Sequence, residues 1–172
     1  MLFFKFLKKH NIGYALSGGG ARGFAHLGAL KALEERNLKP NIISGTSAGA
    51  LAGVLYADGY TPEEICDMFK HTKFKQFVEF TLPTNGLFRP TGLHRFLKNN
   101  LRAKSFEELQ IPFIAVATDW NNAKTTNFYE GEALIDAVVA SCCVPLVFAP
   151  VKIDGEEYVD GGIFKNLPAS TI

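Results

Sequence analysis

The serine at position 47 has the sequence surroundings that a nucleophile needs. Residues 45–49 read Gly-Thr-Ser-Ala-Gly, after a short apolar run at 42–43 and before a helical run at 50–55. A serine on a sharp strand-to-helix turn stands clear of the sheet, where its hydroxyl can attack a carbonyl carbon. The two glycines let the helix and a substrate approach where a side chain would clash. The motif therefore indicates a nucleophilic role for Ser47.

A glycine-rich loop precedes this motif and offers two kinds of chemistry. Residues 18–23 read Gly-Gly-Gly-Ala-Arg-Gly between a predicted strand and a predicted helix, which fits the dinucleotide-binding pattern. A dinucleotide site also wants an acidic residue near the end of the second strand, where this chain has residues 45–47. Consecutive glycine amides before a helix can instead stabilise the oxyanion of acyl transfer. Arg22 then either adds a nearby cation or forms an ordinary surface ion pair.

A serine nucleophile needs a base, and the histidines are poorly arranged for that task. The order serine, acid, histidine of the α/β-hydrolases would require His71 or His94, with Asp58 or Asp67 as the acid. We expect both aspartates on helix surfaces, His71 and His94 in solvent, and His26 packed within its own helix. A carboxylate is therefore the remaining candidate for the base.

Asp160 is the carboxylate whose surroundings stand out. It directly follows a predicted hairpin strand and precedes Gly161 and Gly162. Glycines at such a place allow a ligand or a second backbone segment to approach closely. The alternative is an ordinary turn, because Asp-Gly is a common turn dipeptide. The residues alone leave both interpretations open.

The three motifs occur in the order glycine loop, serine turn and aspartate turn. In that order they resemble the patatin-like phospholipase family of serine–aspartate lipid acyl hydrolases. Further segments that resemble this family lie at 25–30, 117–119, 140–145 and 166–168, so the resemblance covers nearly the whole chain.

The resemblance implies a role for each of the motif residues. These roles are nucleophile for Ser47, base for Asp160, and oxyanion stabilisation for the loop residues Gly18, Gly19, Gly20 and Arg22. It further implies hydrolysis of fatty-acyl esters of phospholipids or acylglycerols through an acyl-enzyme, without a metal or another cofactor. A transacylase or thioesterase would use the same dyad, and a non-catalytic nucleotide-binding module would use only the glycine loop.

Strands and helices alternate along the chain, which predicts an α/β fold with a largely parallel sheet. The resemblance refines this to a three-layer sandwich with helices flanking the central sheet. In such folds ligands gather at the carboxyl ends of the strands, where the glycine loop and Ser47 both fall. The predicted strands are 12–16, one from 42, 112–118, 125–129 and the hairpin 151–153 with 157–159, whose strands are joined by Asp154-Gly155. The predicted helices are 21–35, 48–57, one from 61, 92–100, a short one that begins with a capping box at Ser105 and Glu108, and 132–141, and a turn is predicted at 85–86.

The composition is that of one ordinary globular domain over residues 1–172. The 18 basic and 17 acidic residues give a net charge of +1, so no basic face for nucleic acid is expected. Three cysteines cannot build a disulfide framework, which favours a reducing, cytoplasmic compartment. Family domains usually continue past the aspartate motif with at least one more strand and helix. A chain ending at Ile172 would then be either truncated or unusually short.

Two apolar segments suggest contact with a lipid surface. Phenylalanines at 3, 4 and 6 alternate with lysines at the N-terminus, and a second group occupies 69–88 with lysines at 70, 73 and 75. Such segments can rest on a membrane, and the alternative is that they pack onto the core. We expect a lipid ester as substrate and transient contact with a membrane surface, whereas the sequence does not determine the oligomeric state.

Overall fold

A mixed six-stranded sheet organises the part of the chain described here. The computed structural model describes residues 12–71 and 88–172. The strands are β1 (Gly13–Leu16), β2 (Ile42–Thr46), β3 (Phe113–Asp119), β4 (Lys124–Phe128), β5 (Val151–Ile153) and β6 (Glu156–Asp160). The helices are α1 (Phe24–Glu34), α2 (Ala48–Ala57), α3 (Pro62–His71), α4 (Thr91–Asn100) and α5 (Leu134–Ser141). The α/β class and the central parallel strands flanked by helices are as predicted.

The register of β3 decides which residues meet in the centre of the sheet. Strands β1, β2 and β3 are parallel, and Thr46 pairs with Val116. β4 runs antiparallel along one edge of β3, at residues 115–119. β6 is also antiparallel and pairs Asp160 with Ala117. Because β4 occupies one edge, β2 and β6 lie end to end along the other edge, and their carboxyl ends meet there.

Small residues let helix α2 lie directly on the parallel strands. A Cβ atom at Gly45 would lie 2.6 Å from the Cα of Ala50, and one at Gly49 would overlap the carbonyl oxygen of Leu16. Almost every residue of α2 is buried. The glycines therefore set the distance between helix and sheet, and this distance fixes the sharp turn that joins β2 to α2.

The segment after β6 packs against the side chains that β2 turns away from α2. Ser44 donates a hydrogen bond to the carbonyl of Pro168 at 2.9 Å, and Thr46 donates one to that of Lys165 at 2.9 Å. Both side chains are fully buried. Two one-turn helices, Gly161–Ile163 and Ala169–Thr171, flank this contact. Residues 165–168 are thus attached to the strand that leads to Ser47.

Most element boundaries were predicted correctly from local sequence signals. Three expectations differ from the structure. The first predicted helix begins as a tight 3-10 turn, Gly20–Gly23, because the positive φ of 53° at Gly20 prevents a regular helical start. The capping box expected at Ser105 is absent: its side chain caps nothing, and Glu108 instead accepts from the amide of Lys104 at 2.7 Å. The expectation that Asp58 lies on a helix surface is wrong, because it is buried and accepts from two amides of residues 102–103.

Several expectations fall outside the described residues. These are the N-terminal segment, the turn predicted at 85–86, and the phenylalanines at 74, 77 and 80. Phe69, from the same predicted group, stacks on Phe96 and meets the edge of Phe24. Phe69 therefore packs against neighbouring helices, which was the alternative to membrane contact. In the described part of the chain, no helix is long and apolar enough to cross a membrane.

Candidate active site

Ser47 occupies the turn between β2 and α2 in a conformation that few non-glycine residues adopt. Its φ is 53° and its ψ is −122°. Its amide donates to the hydroxyl of Ser141 at 2.9 Å, and its carbonyl accepts from the thiol of Cys142 at 3.2 Å. Since both backbone groups have partners at residues 141–142, tertiary contacts hold the backbone of this half-buried residue in place.

Asp160 ends β6 and lies beside this serine. Its side chain is only 5% exposed, and one carboxylate oxygen accepts from the amide of Gly162 at 2.7 Å. Burial raises the pKa of this carboxyl above its ordinary value, and hydrogen bonds from Ser47 and Gly162 oppose that rise. The structure therefore brings together the serine and the carboxylate that the motifs indicated, and the carboxylate is desolvated.

The glycine loop reaches the same place from β1. A Cβ atom on Gly18 would lie 3.3 Å from the Cβ of Ser47, so the loop passes directly over the serine. The amide of Gly18 already donates to the carbonyl of Asn166 at 3.0 Å. For the amides of Gly19 and Gly20, no hydrogen-bond acceptor is found within residues 12–71 and 88–172. Two of the three expected oxyanion donors are therefore available for a substrate oxygen, and Gly18 contributes space.

Arg22 lies in the 3-10 turn that follows these glycines. It is exposed, and its amide donates to the carbonyl of Gly19 at 3.0 Å. Among the described side chains, none forms a salt bridge with it. The surface ion pair that was its alternative role is thus not seen in this part of the chain, and its guanidinium remains available to an anionic group.

His26 and His94 have partners other than Ser47 in the described part of the chain. His26 donates through Nε2 to the carbonyl of Ser17 at 2.8 Å and thereby fixes the start of the glycine loop. This contact is more specific than the packing within its own helix that the sequence suggested. His94 lies 3.3 Å from Asp136 on the facing helix. Within the described residues, the carboxylate of Asp160 is the titratable partner of the serine.

Ser141, Cys142 and Asn166 take part in the site although the motif chemistry did not single them out. All three lie in the segments that carry the family resemblance, but their contacts depend on positions distant in the chain. Burial and the neighbouring charge of Asp160 raise the thiol pKa of Cys142 well above its ordinary value, and that of Cys143 to about 12. Both cysteines are therefore thiols, which keeps the surroundings of Asp160 apolar.

Nowhere in 12–71 or 88–172 do three or more histidine, cysteine, aspartate or glutamate side chains form a group that could hold a metal ion.

Comparison with protein families identifies one match over nearly the whole chain. A model described as patatin-like phospholipase matches residues 14–171. This range contains the glycine loop, the serine turn and the aspartate turn, and it ends one residue before the end of the chain.

Curated proteins that are similar to this chain are longer than it. An uncharacterized NTE family protein of Mycobacterium tuberculosis is 33% identical over 163 residues, which covers 94% of this chain and 45% of that protein. Patatin-like phospholipase domain-containing protein 7 of Rattus norvegicus is 32% identical over 173 residues, which covers 96% of this chain and 13% of that protein. The chain thus spans about half the length of the first relative and a smaller share of the second.

Two solved structures have a similar fold at low sequence identity. VipD from Legionella pneumophila aligns with a TM-score of 0.76 and 16% identity, over 92% of this chain and 47% of that one. The SpcU–ExoU complex of Pseudomonas aeruginosa contains a chain that aligns with a TM-score of 0.60 and 16% identity, over 81% of this chain and 39% of that one. At such identities the similarity concerns the arrangement of the backbone alone.

Proposed function

Since the chain belongs to the patatin-like phospholipase family, we propose that it is a serine lipid acyl hydrolase whose base is Asp160. Its substrates are fatty-acyl esters of phospholipids or acylglycerols. The observation that carries the proposal is that β2 and β6 both pair with the same edge of β3, because this brings Ser47 to a desolvated carboxylate. The family match supports the class of reaction.

The first half of the reaction acylates the serine. The Ser47 oxygen attacks the ester carbonyl carbon while its proton passes to Asp160, and the carbonyl oxygen becomes an oxyanion. The tetrahedral intermediate then collapses: the bond to the alcohol breaks, and the alcohol leaves with the proton from Asp160. In the second half, water attacks the acyl-serine while Asp160 accepts the proton of that water. The fatty acid is released, and Ser47 regains its hydrogen.

Three features of the site stabilise the oxyanion in this scheme. The amides of Gly19 and Gly20 have no acceptor among the described residues and follow a loop that passes over Ser47. Each preorganised donor is worth on the order of 3 kcal/mol in a water-excluded site. Arg22 adds a positive charge next to the loop. The N-terminus of α2 adds its partial positive charge directly after Ser47.

Burial gives Asp160 the basicity that an ordinary aspartate lacks. An unperturbed aspartate has a pKa of about 3.9 and is a weak base near neutral pH. Desolvation disfavours the carboxylate and raises its pKa, which improves the driving force for proton transfer from serine. The same carboxylate serves transfer of the acyl group to an alcohol or thiol acceptor, which product analysis with added acceptor alcohols distinguishes from hydrolysis.

Labelling with a fluorophosphonate probe tests the proposal. Such probes react with activated serines, so we expect the parent protein to be labelled and the Ser47→Ala variant to lose all labelling. Ser105→Ala is a matched control because this half-buried serine lies away from the site and caps no helix, and it keeps full labelling. Absence of labelling in the folded parent, or equal labelling of Ser47→Ala, would refute an activated serine at this position.

A further inference from the structure

The backbone of Ser47 needs external support to stay in its active conformation. A positive φ combined with a strongly negative ψ is disfavoured for any residue with a Cβ atom, at a cost of roughly 1–3 kcal/mol. The values of 53° and −122° fall in that region. Such a conformation persists only where surrounding contacts hold it. The contacts on the peptide groups of Ser47 are therefore the place to look for the cause.

The hydroxyl of Ser141 contacts both the serine turn and the central strand. It lies 2.6 Å from the carbonyl oxygen of Val116, which can only accept, so Ser141 donates its single proton there. Its lone pair then accepts the amide proton of Ser47 at 2.9 Å. Val116 is also the β3 residue that pairs with Thr46, directly before Ser47. One hydroxyl thus joins the nucleophile turn to the strand that aligns β2 and β6.

The location of Ser141 allows only a small hydroxyl to do this. The residue is the last of α5 and is 0% exposed. Alanine would leave the buried amide of Ser47 and the carbonyl of Val116 without this partner, and threonine would add a methyl group to a fully packed site. The next residue, Cys142, donates to the carbonyl of Ser47 at 3.2 Å, so adjacent residues hold both sides of the nucleophile.

We propose that Ser141 is a positioning residue that holds the backbone of Ser47 in its nucleophilic conformation. It also occupies the Ser47 amide, so this amide is not available to a substrate oxygen. This inference rests on the proposed function, but the conformational part of it stands on the hydrogen bonds alone.

Steady-state kinetics on a soluble short-chain ester give the first test. We expect Ser141→Ala to lower kcat by about 10- to 100-fold, because one buried hydrogen-bonding partner is lost. KM should change by no more than about twofold, since Ser141 does not reach the substrate side of the serine. Ser141→Cys keeps a similar volume and a weaker hydrogen-bonding group. We therefore expect it to fold and to have a kcat between that of the parent and that of Ser141→Ala.

Thr118→Val is the matched control. Thr118 lies on β3, its side chain is 2% exposed, and its hydroxyl has no partner within the described residues. Removing this buried hydroxyl should leave kcat unchanged. A kcat within about twofold of the parent for both folded Ser141 variants would overturn the proposal.

Amide hydrogen exchange provides a readout that needs no activity. The Ser47 amide should exchange slowly in the parent and at least about tenfold faster in Ser141→Ala, because its acceptor is gone. The Asp58 amide, which donates to the carbonyl of Val54 at 2.9 Å at the other end of α2, should keep its rate. Unchanged exchange at Ser47 rejects the positioning role. Faster exchange at Ser47 in Ser141→Ala, combined with a parent that no fluorophosphonate labels, would reject the proposed function and retain the positioning role.

Discussion

The carboxyl group of Asp160 shows how the surroundings of one side chain can shift its pKa. Hydrogen bonds from Ser47 and Gly162 favour its charged form, whereas burial favours the neutral form, and burial has the larger effect on its pKa. The neighbouring thiols of Cys142 and Cys143 add no charge, because their own pKa values are raised. An isolated aspartate in water would not have this balance.

Replacing Asp160 by asparagine should remove the base and keep the fold. We expect Asp160→Asn to lower kcat on a soluble ester on the order of 10²–10⁴-fold, the range of general acid–base catalysis. In the parent, kcat/KM should rise as the pH increases through the raised pKa of Asp160, because only the carboxylate accepts a proton. A pH–rate profile of parent and variant measures both effects. Substantial activity in the variant would contradict the dyad.

The same variant should not be destabilised at neutral pH, and this separates chemistry from folding. The native pKa of Asp160 is raised, so the native state binds this proton more tightly than the unfolded chain does. Stability is therefore lost as the pH rises from the ordinary value of 3.8 through the raised native pKa. Asparagine carries no charge and avoids this loss. Urea unfolding at several pH values should show Asp160→Asn gaining on the parent across that window. Asp136→Asn, which removes a half-buried carboxylate that contacts His94, is the control variant for the activity assay.

At the scale of elements, the turn between β2 and α2 depends on the close approach of helix and sheet. The glycines at 45 and 49 stand where a Cβ atom would meet backbone atoms, which cannot move aside as a flexible side chain can. The hydroxyls of Ser44 and Thr46 attach the opposite face of β2 to residues 165–168. Strand β2 is thus held on both faces, and the position of Ser47 is fixed by these contacts.

Two glycine-to-alanine substitutions in neighbouring helices should have opposite effects. Gly49→Ala forces a methyl group into the carbonyl of Leu16 and should lower the free energy of unfolding by roughly 1–3 kcal/mol or more. Gly28→Ala lies in α1, where a Cβ atom would meet nothing within 4 Å. It should raise the free energy of unfolding by about 0.5–1 kcal/mol, because alanine favours helix. Urea unfolding measures both, and a Gly49→Ala variant as stable as the parent would contradict the packing described.

At the scale of the whole molecule, exposed apolar side chains follow Ser141, Cys142 and Asp160 in the sequence. The run from 137 to 151 contains no charged residue. After Ser141 and Cys142 it exposes Val144, Leu146 and Val147, and the segment after Asp160 exposes Ile163, Phe164 and Leu167. We propose that these exposed side chains, which are next in sequence to the site residues, meet the lipid surface that holds the substrate.

Leu146 is the residue that tests this proposal. It is 89% exposed at a positive φ of 69°, a conformation that aspartate tolerates better than leucine. Leu146→Asp should therefore fold, yet bind phosphatidylcholine vesicles about tenfold more weakly, because one apolar side chain no longer enters the bilayer. Leu38→Asp is the matched control: Leu38 is 41% exposed and precedes the amino end of β2, away from Ser47. Equal co-sedimentation of the two variants with vesicles would contradict this proposal.

The sequence alone determined the elements and the family, because these depend on local signals. Glycines beside Ser47, alternating apolar runs and the Asp154-Gly155 turn act within a few residues. The predicted helix 48–57 and the predicted hairpin 151–153 with 157–159 match the structure closely. The sequence could also nominate Ser47 and Asp160 through their motifs. Their catalytic roles stay predictions, which the experiments above address.

Only the tertiary structure decided how these parts meet. The partner of the Ser47 amide lies 94 residues away in the chain, and the acceptor of the Gly18 amide lies 148 residues away. Such contacts follow from the register of β2 and β6 on β3, which no local pattern encodes. With the strands in that register, Asp160 is desolvated, the amide of Gly18 donates to Asn166, and Ser47 is held in its strained conformation. The physical reason is that pKa values and available hydrogen-bond donors depend on neighbours in space, whereas motifs record neighbours in sequence.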